Sequence, residues 1–237
     1  MIIYNQCNMD LRPVKHIFTK NPSLPPYLVH FVTAGCNASC SHCFLPDAPR
    51  FSAAAQELST EEIDMTVSSL KGSLLAVGVT GGEPLMREDI EEICDIYLKR
   101  SGVISVILST NGSFPDKALR IAESALSSSG KTHLSISISV DQTGEHHDLM
   151  RGFPGLYNKA LMLYRDIGSL GRGRSGVSAR INLTVCKENS GCAENIISHL
   201  ITNEGVSDIG ITIQRDMNSP FSAVNEPLLS GYRKAAD

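Results

Sequence analysis

The sequence contains no tryptophan, and aromatic residues make up only 5% of it. It has no run of 18 or more apolar residues, so nothing in it reads as a membrane-spanning helix. It has no basic excess either: 21 Lys and Arg stand against 25 Asp and Glu, a net charge of −4. Without a basic field the chain cannot hold a nucleic-acid backbone non-specifically, and no nucleic-acid partner is expected. Met1 to Asp10 lack the basic-then-apolar order of a secretory signal, so a cytoplasmic location is expected. The seven cysteines are odd in number, three clustered and four scattered, unlike a disulfide framework. In a reducing compartment such a cluster more often binds metal.

What is present is the composition of a packed globular protein, 42% hydrophobic and 19% charged over 237 residues. That length suits one sizeable α/β domain or two small ones. An N-terminal arm, residues 1–26, contains Asn21-Pro22 and Pro25-Pro26 and reads as irregular. From there to 237, strand-like and helix-like segments alternate. Strands are expected at about Tyr27–Thr33, Leu74–Thr80, Val103–Ser109, His133–Val140, Val177–Val185 and Asp208–Gln214. Helices are expected after Leu58, where Ser59 and Glu62 form a capping box, and at about Arg87–Arg100, from Pro115, Pro154–Ile167 and Ala193–Asn203. A last helix is expected to begin near Glu226. The chain stops inside it, which fits either a short final helix or a fragment of a longer chain. Alternation of this kind predicts a parallel sheet built from crossover units.

The clustered cysteines, Cys36, Cys40 and Cys43, follow the first strand with the spacing Cys-x3-Cys-x2-Cys. Three thiolates on one compact loop can each hold a different iron of a cubane cluster, whose full ligation takes four cysteines. With no fourth cysteine nearby, one iron would stay open to another ligand. Spacing alone also admits a structural zinc site, although His42 adjoins Cys43 too closely to serve easily as its fourth ligand.

Further motifs stand at the ends of later strands: Gly81-Gly82-Glu83-Pro84, Thr110-Asn111-Gly112, Ser139-Val140-Asp141, and His147-Asp148-Leu149-Met150-Arg151-Gly152-Phe153-Pro154-Gly155 beyond it. In parallel sheets and barrels the C-terminal strand ends form the ligand rim. With the cysteine triplet, these motifs resemble those of the radical S-adenosylmethionine (SAM) superfamily, over roughly Tyr27 to Gln214. The resemblance implies a partial (β/α)6 TIM-like barrel, open on one side, as the core domain of residues 27–237. It implies a 4Fe-4S cluster on Cys36, Cys40 and Cys43, with SAM bound at the open iron. It implies reductive cleavage of SAM to a 5′-deoxyadenosyl radical that abstracts hydrogen from a substrate. The partners it implies are an external one-electron reductant such as flavodoxin or ferredoxin and a small-molecule or peptide substrate. The motifs look most like those of peptide-maturing and cofactor-building branches, without the cysteine-rich C-terminal domain of some relatives.

Residue by residue, the resemblance assigns Gly81, Gly82 and Glu83 to the SAM amino group. It places Thr110 and Asn111 in the same rim. It makes Ser139 and Asn182 SAM contacts, and His42 takes a position usually held by an aromatic residue near the adenine. Arg180 shares a strand face with Asn182 and is expected either to meet a carboxylate or to lie on the surface. The alternation Ser135-Ile136-Ser137-Ile138-Ser139 puts small hydroxyls on one face, which leaves room for a ligand.

Other features carry less. Cys94 falls on the apolar face of its helix and reads as core packing, while Cys186 and Cys192, with Cys7 remote from both, are too few for a second cluster. His146-His147-Asp148 are neighbours and would not converge on one ion; loop chemistry is the expectation there. Gly171-Arg172-Gly173-Arg174 precedes a strand and reads as a solvated connection. Two other function classes stay open at this point, a non-catalytic iron–sulfur electron relay and a zinc-stabilised binding module.

Overall fold

The computed structural model describes residues 25–44, 57–70, 72–127 and 132–214. The final helix expected near Glu226, Cys7 and nearly all of the N-terminal arm lie outside these residues. Six parallel strands form one sheet in sequence order: β1 (Tyr27–Thr33), β2 (Ala76–Gly81), β3 (Ser105–Thr110), β4 (His133–Ser139), β5 (Val177–Val185) and β6 (Ile209–Ile213). This is the α/β partial barrel that the alternation and the resemblance predict. The helices are α1 (Thr60–Ser69), α2 (Ile90–Asp95), α3 (Pro115–Ser127), α4 (Gly144–Arg151), α5 (Leu156–Leu170) and α6 (Ala193–Thr202).

On β2 to β5 the two faces have different fates. Val77 and Val79, Val106 and Leu108, Leu134, Ile136 and Ile138, and Ile181, Leu183 and Val185 are all completely buried. They pack with helix residues such as Ile63, Ile93, Ile121, Leu163 and Ile196 into one core. The alternate residues, serines on β4 among them, are only partly covered. The hydroxyl face expected on β4 is therefore the inner face of the barrel.

Most local expectations hold. The capping box on α1 is formed: Ser59 N–H donates to Glu62 Oε2 at 2.9 Å, and Glu62 N–H donates to Ser59 Oγ at 3.3 Å. Cys94 is fully buried beside Ile90, Ile93 and Tyr97, so it is core, and burial pushes its thiol up to about 12. The helix expected over Arg87–Arg100 is present from Ile90 to Arg100. A 3-10 turn at Pro84–Met86 is followed by α2, which loosens into a π-helix at Ile96–Arg100.

The larger correction is α4. The His147–Gly152 stretch reads as loop in the sequence but is helical. Its helix ends on Gly152, whose φ of 61° is the left-handed cap that glycine accepts readily. Low apolar content hid it: the helix buries only His147, Met150 and Arg151. Asp148, expected to do loop chemistry, serves the next helix, accepting from the N–H groups of Gly155 at 2.6 Å and Tyr157 at 2.8 Å.

The sheet core sets the stability. Ile136→Ala, in a fully buried position on a central strand, is expected to cost about 2–5 kcal/mol. The exposed Met162→Ala is expected to cost within about 0.5 kcal/mol. Denaturant midpoints for the two variants check this; equal midpoints would contradict the assignment of the core face.

Candidate active site

The C-terminal ends of the strands surround a cavity of about 410 Å³, within the range of small-molecule sites. Cys36, Cys40 and Cys43 line it from the loop after β1, and Gly81 and Gly82 line it from the end of β2. Thr110 and Asn111 close β3, Ser139 ends β4, and Asn182 and Thr184 face in from β5. His42 and Arg151 complete the polar wall.

The cysteine loop is held from three sides. On the β2 side, Gly82 N–H donates to Thr33 O at 2.9 Å and Glu83 N–H donates to Gly35 O at 2.8 Å. This approach leaves no room for side chains on β2: a Cβ on Gly81 would lie 2.3 Å from Thr33 O, and one on Gly82 would lie 2.1 Å from Gly35 O. The glycines thus admit the cysteine loop as well as a ligand. On the β3 side, Asn111 Nδ2 donates to Asn37 Oδ1, and Asn37 Nδ2 donates to Ser113 Oγ, both at 2.9 Å. On the α4 side, Ser39 N–H donates to Arg151 O at 2.8 Å and Ser41 N–H donates to Met150 O at 3.1 Å. Those two bonds bracket Cys40.

Two carboxyl groups are completely buried around the cavity. Glu83, expected at the SAM amino group, does not line it. Its Oε1 accepts from Leu85 N–H at 3.1 Å and Thr110 Oγ1 at 2.8 Å, and its Oε2 accepts from Asn111 N–H at 2.6 Å. It ties the ends of β2 and β3 together from beneath. Burial pushes its pKa up to about 7, against the pull of these donors. Asp141 has stronger partners. It pairs with the Arg151 guanidinium, accepts from Thr184 N–H at 2.8 Å, and lies 3.1 Å from His42 Nε2. Burial opposes its ionisation, but the charge of Arg151 and these hydrogen bonds outweigh that and hold the carboxyl well below the usual range.

His42 therefore stands in the cavity wall as expected, but its ring edge is engaged by Asp141. Arg180 is placed differently from the carboxylate-binding expectation. It lies two residues before Asn182 on the same strand face, half-exposed, and its Nε donates to Asp208 at 2.8 Å. Two residues of strand carry it about 6–7 Å below the rim, and it does not reach the cavity. The cavity's guanidinium is Arg151, which sequence reasoning noted only within a motif. Asp141 beside it had the same standing; the spacing of an aspartate and an arginine ten residues apart does not show that a helix folds one back on the other. Cys186 is buried, and Cys192 precedes α6 as acceptor of a 3.4 Å bond from Gln142 Nε2, so neither joins the triplet in the cavity lining.

The donor set suits a soft metal centre. No three His, Cys, Asp or Glu side chains among the described residues gather closely enough to hold a single ion. Thiolates that each hold a separate iron need no such convergence. Burial raises the thiol pKa of Cys36 and of Cys40, so metal binding must displace protons there. Two buried polar atoms in the wall, His42 Nδ1 and Arg151 Nε, have no hydrogen-bond partner among the described residues, as expected of a wall built for a polar ligand.

A sequence model of the Radical SAM superfamily matches residues 31–184. The chain is 36% identical over 169 residues to an AdoMet-dependent heme synthase of Methanosarcina barkeri (strain Fusaro / DSM 804), covering 70% of this chain and 44% of that protein. It is 36% identical over 109 residues to a GTP 3',8-cyclase of Aquifex aeolicus (strain VF5), covering 45% of this chain and 33% of that protein. The structure of SuiB from Streptococcus suis superposes with a TM-score of 0.63 at 16% identity, over 86% of this chain and 43% of that one, which shows a shared fold. The chain spans less than half the length of these relatives.

Two outcomes test the site. Gly82→Ala is expected to keep the fold by circular dichroism but lose most of its capacity for iron and sulfide. Gly168→Ala, where a Cβ meets nothing within 4 Å, should load normally. Equal loading would mean that the loop's close approach is not required. The second outcome concerns Glu83, whose folded-state pKa of about 7 exceeds its ordinary 4.5. The folded protein keeps this proton where the unfolded chain loses it. The contribution is fully present below about 4.5 and fades as pH rises toward 7. Metal-free wild type should lose stability across that window relative to Glu83→Gln; parallel denaturation profiles would show Glu83 ionised throughout.

Proposed function

The chain belongs to the radical SAM superfamily, and on that premise we propose that it binds a 4Fe-4S cluster through Cys36, Cys40 and Cys43 and cleaves SAM beside it. The observation that carries this reading is the convergence of the three cysteines, the Gly81-Gly82 backbone and a polar rim on one cavity. Cys36, Cys40 and Cys43 would hold the cluster, which would supply the one electron for reductive cleavage of SAM to methionine and a 5′-deoxyadenosyl radical.

The chain's own residues bind and orient. The backbone at Gly81 and Gly82 borders the space for the amino group. Arg151 replaces Arg180 as the cation facing a carboxylate, with its Nε–H unclaimed among the described residues. Ser139 and Asn182, paired across β4 and β5, offer a hydroxyl and an amide toward the ribose and methionine portions. Thr110 and Asn111 are fixed from below by Glu83, so Glu83 orients the rim and need not touch SAM itself. His42 offers a ring face beside Cys43, its edge anchored by Asp141.

The substrate is assigned to the class of cofactor precursors, with peptides as the second choice. Relatives named for heme and GTP chemistry support the first. The electron is assigned to an external carrier such as flavodoxin or ferredoxin. No helix among the described residues is long and apolar enough to cross a membrane, and the assigned location is the cytoplasm, where such carriers work. A bare electron relay would have no use for a cavity of about 410 Å³ against its cluster ligands. A zinc module needs its donors gathered on one ion, and among the described residues no three His, Cys, Asp or Glu side chains are so gathered.

Anaerobic reconstitution followed by SAM and dithionite tests the reading, with 5′-deoxyadenosine measured by mass spectrometry. Wild type is expected to form it, and Cys40→Ala is expected to form none and to hold little iron. Full iron content in Cys40→Ala would sink the ligand assignment. A fully loaded wild type that forms no 5′-deoxyadenosine, with candidate precursors present, would favour the relay.

A further inference from the structure

We infer that Asn189, in the loop after β5, is a positioning residue for SAM: its side-chain amide locks the ends of β4 and β5 together and so sets the spacing of Ser139 and Asn182. This rests on the SAM reading proposed above and goes beyond it, because Asn189 is completely buried and lines no part of the cavity.

The β4–β5 ladder ends where the site begins. Its last registered pair is Ser139 and Asn182, and both line the cavity. One further bond, from Val140 N–H to Asn182 O at 3.0 Å, closes it. Beyond that point β4 has ended while β5 runs on to Val185. Strands that part in this way leave backbone groups that must find other partners. Thr184, with no β4 residue in register opposite it, shows how they are found. Its N–H donates to Asp141 Oδ1 at 2.8 Å, and its carbonyl accepts from Asn189 Nδ2 at 2.9 Å. The same Nδ2 donates to Asp141 O at 2.9 Å, and Asn189 Oδ1 accepts from Cys186 N–H at 2.8 Å. Two donors and an acceptor on one planar amide thus take the place of the peptide group that a longer β4 would have supplied.

The amide has little freedom to turn. Asn189 N–H donates to Cys186 O at 3.3 Å, and Cys192 N–H donates to Asn189 O at 3.0 Å, so a tight turn holds its backbone. From Asp141 the lock extends to Arg151 and His42, which the carboxyl meets. From β5 it extends to β6, where Asn182 Nδ2 donates to Thr212 Oγ1 at 3.3 Å. The bonds that hold the cysteine loop run elsewhere, to β2, β3 and the end of α4. Loosening the lock therefore moves the SAM-facing pair and leaves the cysteines where they are.

The test is anaerobic equilibrium dialysis of SAM against reconstituted protein, with iron and sulfide measured on the same samples. Asn189→Ala loses all three bonds. Asn189→Asp keeps the acceptor for Cys186 N–H, which anchors the loop, and loses the donors to Asp141 and Thr184. Both are expected to load iron and sulfide as wild type does and to bind SAM about tenfold more weakly, the equivalent of one well-made hydrogen bond. Ser101→Ala is the control. It removes a buried acceptor of Val103 N–H at the opposite end of the sheet and should bind SAM normally. In 5′-deoxyadenosine formation with dithionite, the change in the Asn189 variants should fall on KM for SAM, with kcat per loaded cluster near that of wild type. Wild-type affinity in Asn189→Asp overturns the inference, since anchoring the loop would then be the whole role. So does a loss confined to kcat, or equal weakening in Ser101→Ala, which a smaller folded fraction would give. Failure of both Asn189 variants to take up iron overturns it too, because the residue would then serve the fold as a whole. A loaded wild type that binds no SAM sinks the SAM reading itself, and is told apart because it is seen without any variant.

Discussion

The whole site depends on one close approach, that of the loop after β1 to the end of β2. Gly82 and Glu83 donate their N–H groups to Thr33 and Gly35, and the two backbones lie nearer than any side chain on residue 81 or 82 would allow. This contact decides where Cys36 begins its path across the rim. The bonds from Asn111 to Asn37, from Asn37 to Ser113, and from Ser39 and Ser41 to α4 carry the same loop onward. A loop of ten or so residues that must bring three thiols to one cavity would otherwise lose much entropy on ordering. Here the order is supplied by three neighbouring rims whose own positions the sheet fixes.

The two buried carboxyl groups show how differently the fold treats like residues. Burial holds the pKa of Glu83 near neutrality, against three neutral hydrogen-bond donors and the smaller pull of the Arg151 charge. Asp141 faces a guanidinium and stays charged. The first ties β2 to β3 and the second ties β4 to β5 through Thr184, so the rim is cross-linked beneath its surface by carboxylates. His147 adds to the second network: Asp141 N–H donates to its Nδ1 at 3.2 Å, and burial followed by the Arg151 charge lowers its pKa to about 4. A neutral imidazole with its acceptor nitrogen turned inward is what that geometry requires.

Much of this was legible in the sequence. Local composition placed the strands: alternation on β4, a nearly continuous apolar run on β2, and β-branched and aromatic residues on β1. The cavity's residues were legible because they sit at strand ends, where chain order predicts spatial neighbourhood. What escaped had no local signature. Helix α4 is short and mostly polar, so its periodicity was faint, although His147, Met150 and Arg151 do fall at i, i+3 and i+4. Arg180 and Arg151 could not be ranked from sequence. A strand position fixes the face a side chain takes but not its depth, and the reach of Arg151 depends on a helix that folds back over ten residues. Glu83 was placed in the right region but given a contact, whereas its side chain turns under the rim toward β3.

The division of labour between strand faces explains why the site can be so polar without costing the fold. All the fully buried aliphatic residues of the sheet point toward the helices, where Ile136, Leu108 and Val79 meet a continuous core. The barrel interior does not have to be filled to stabilise the protein, because that outer layer already removes the large apolar area from water. Serines on β4 and the asparagine and threonine on β5 can therefore stand half-covered, and Thr212 on β6 exposed, around open space. A closed eight-stranded barrel packs its interior with branched side chains and leaves its site to the loops alone. Six strands left open at one side keep the interior as part of the site, so residues there are free to answer to a ligand.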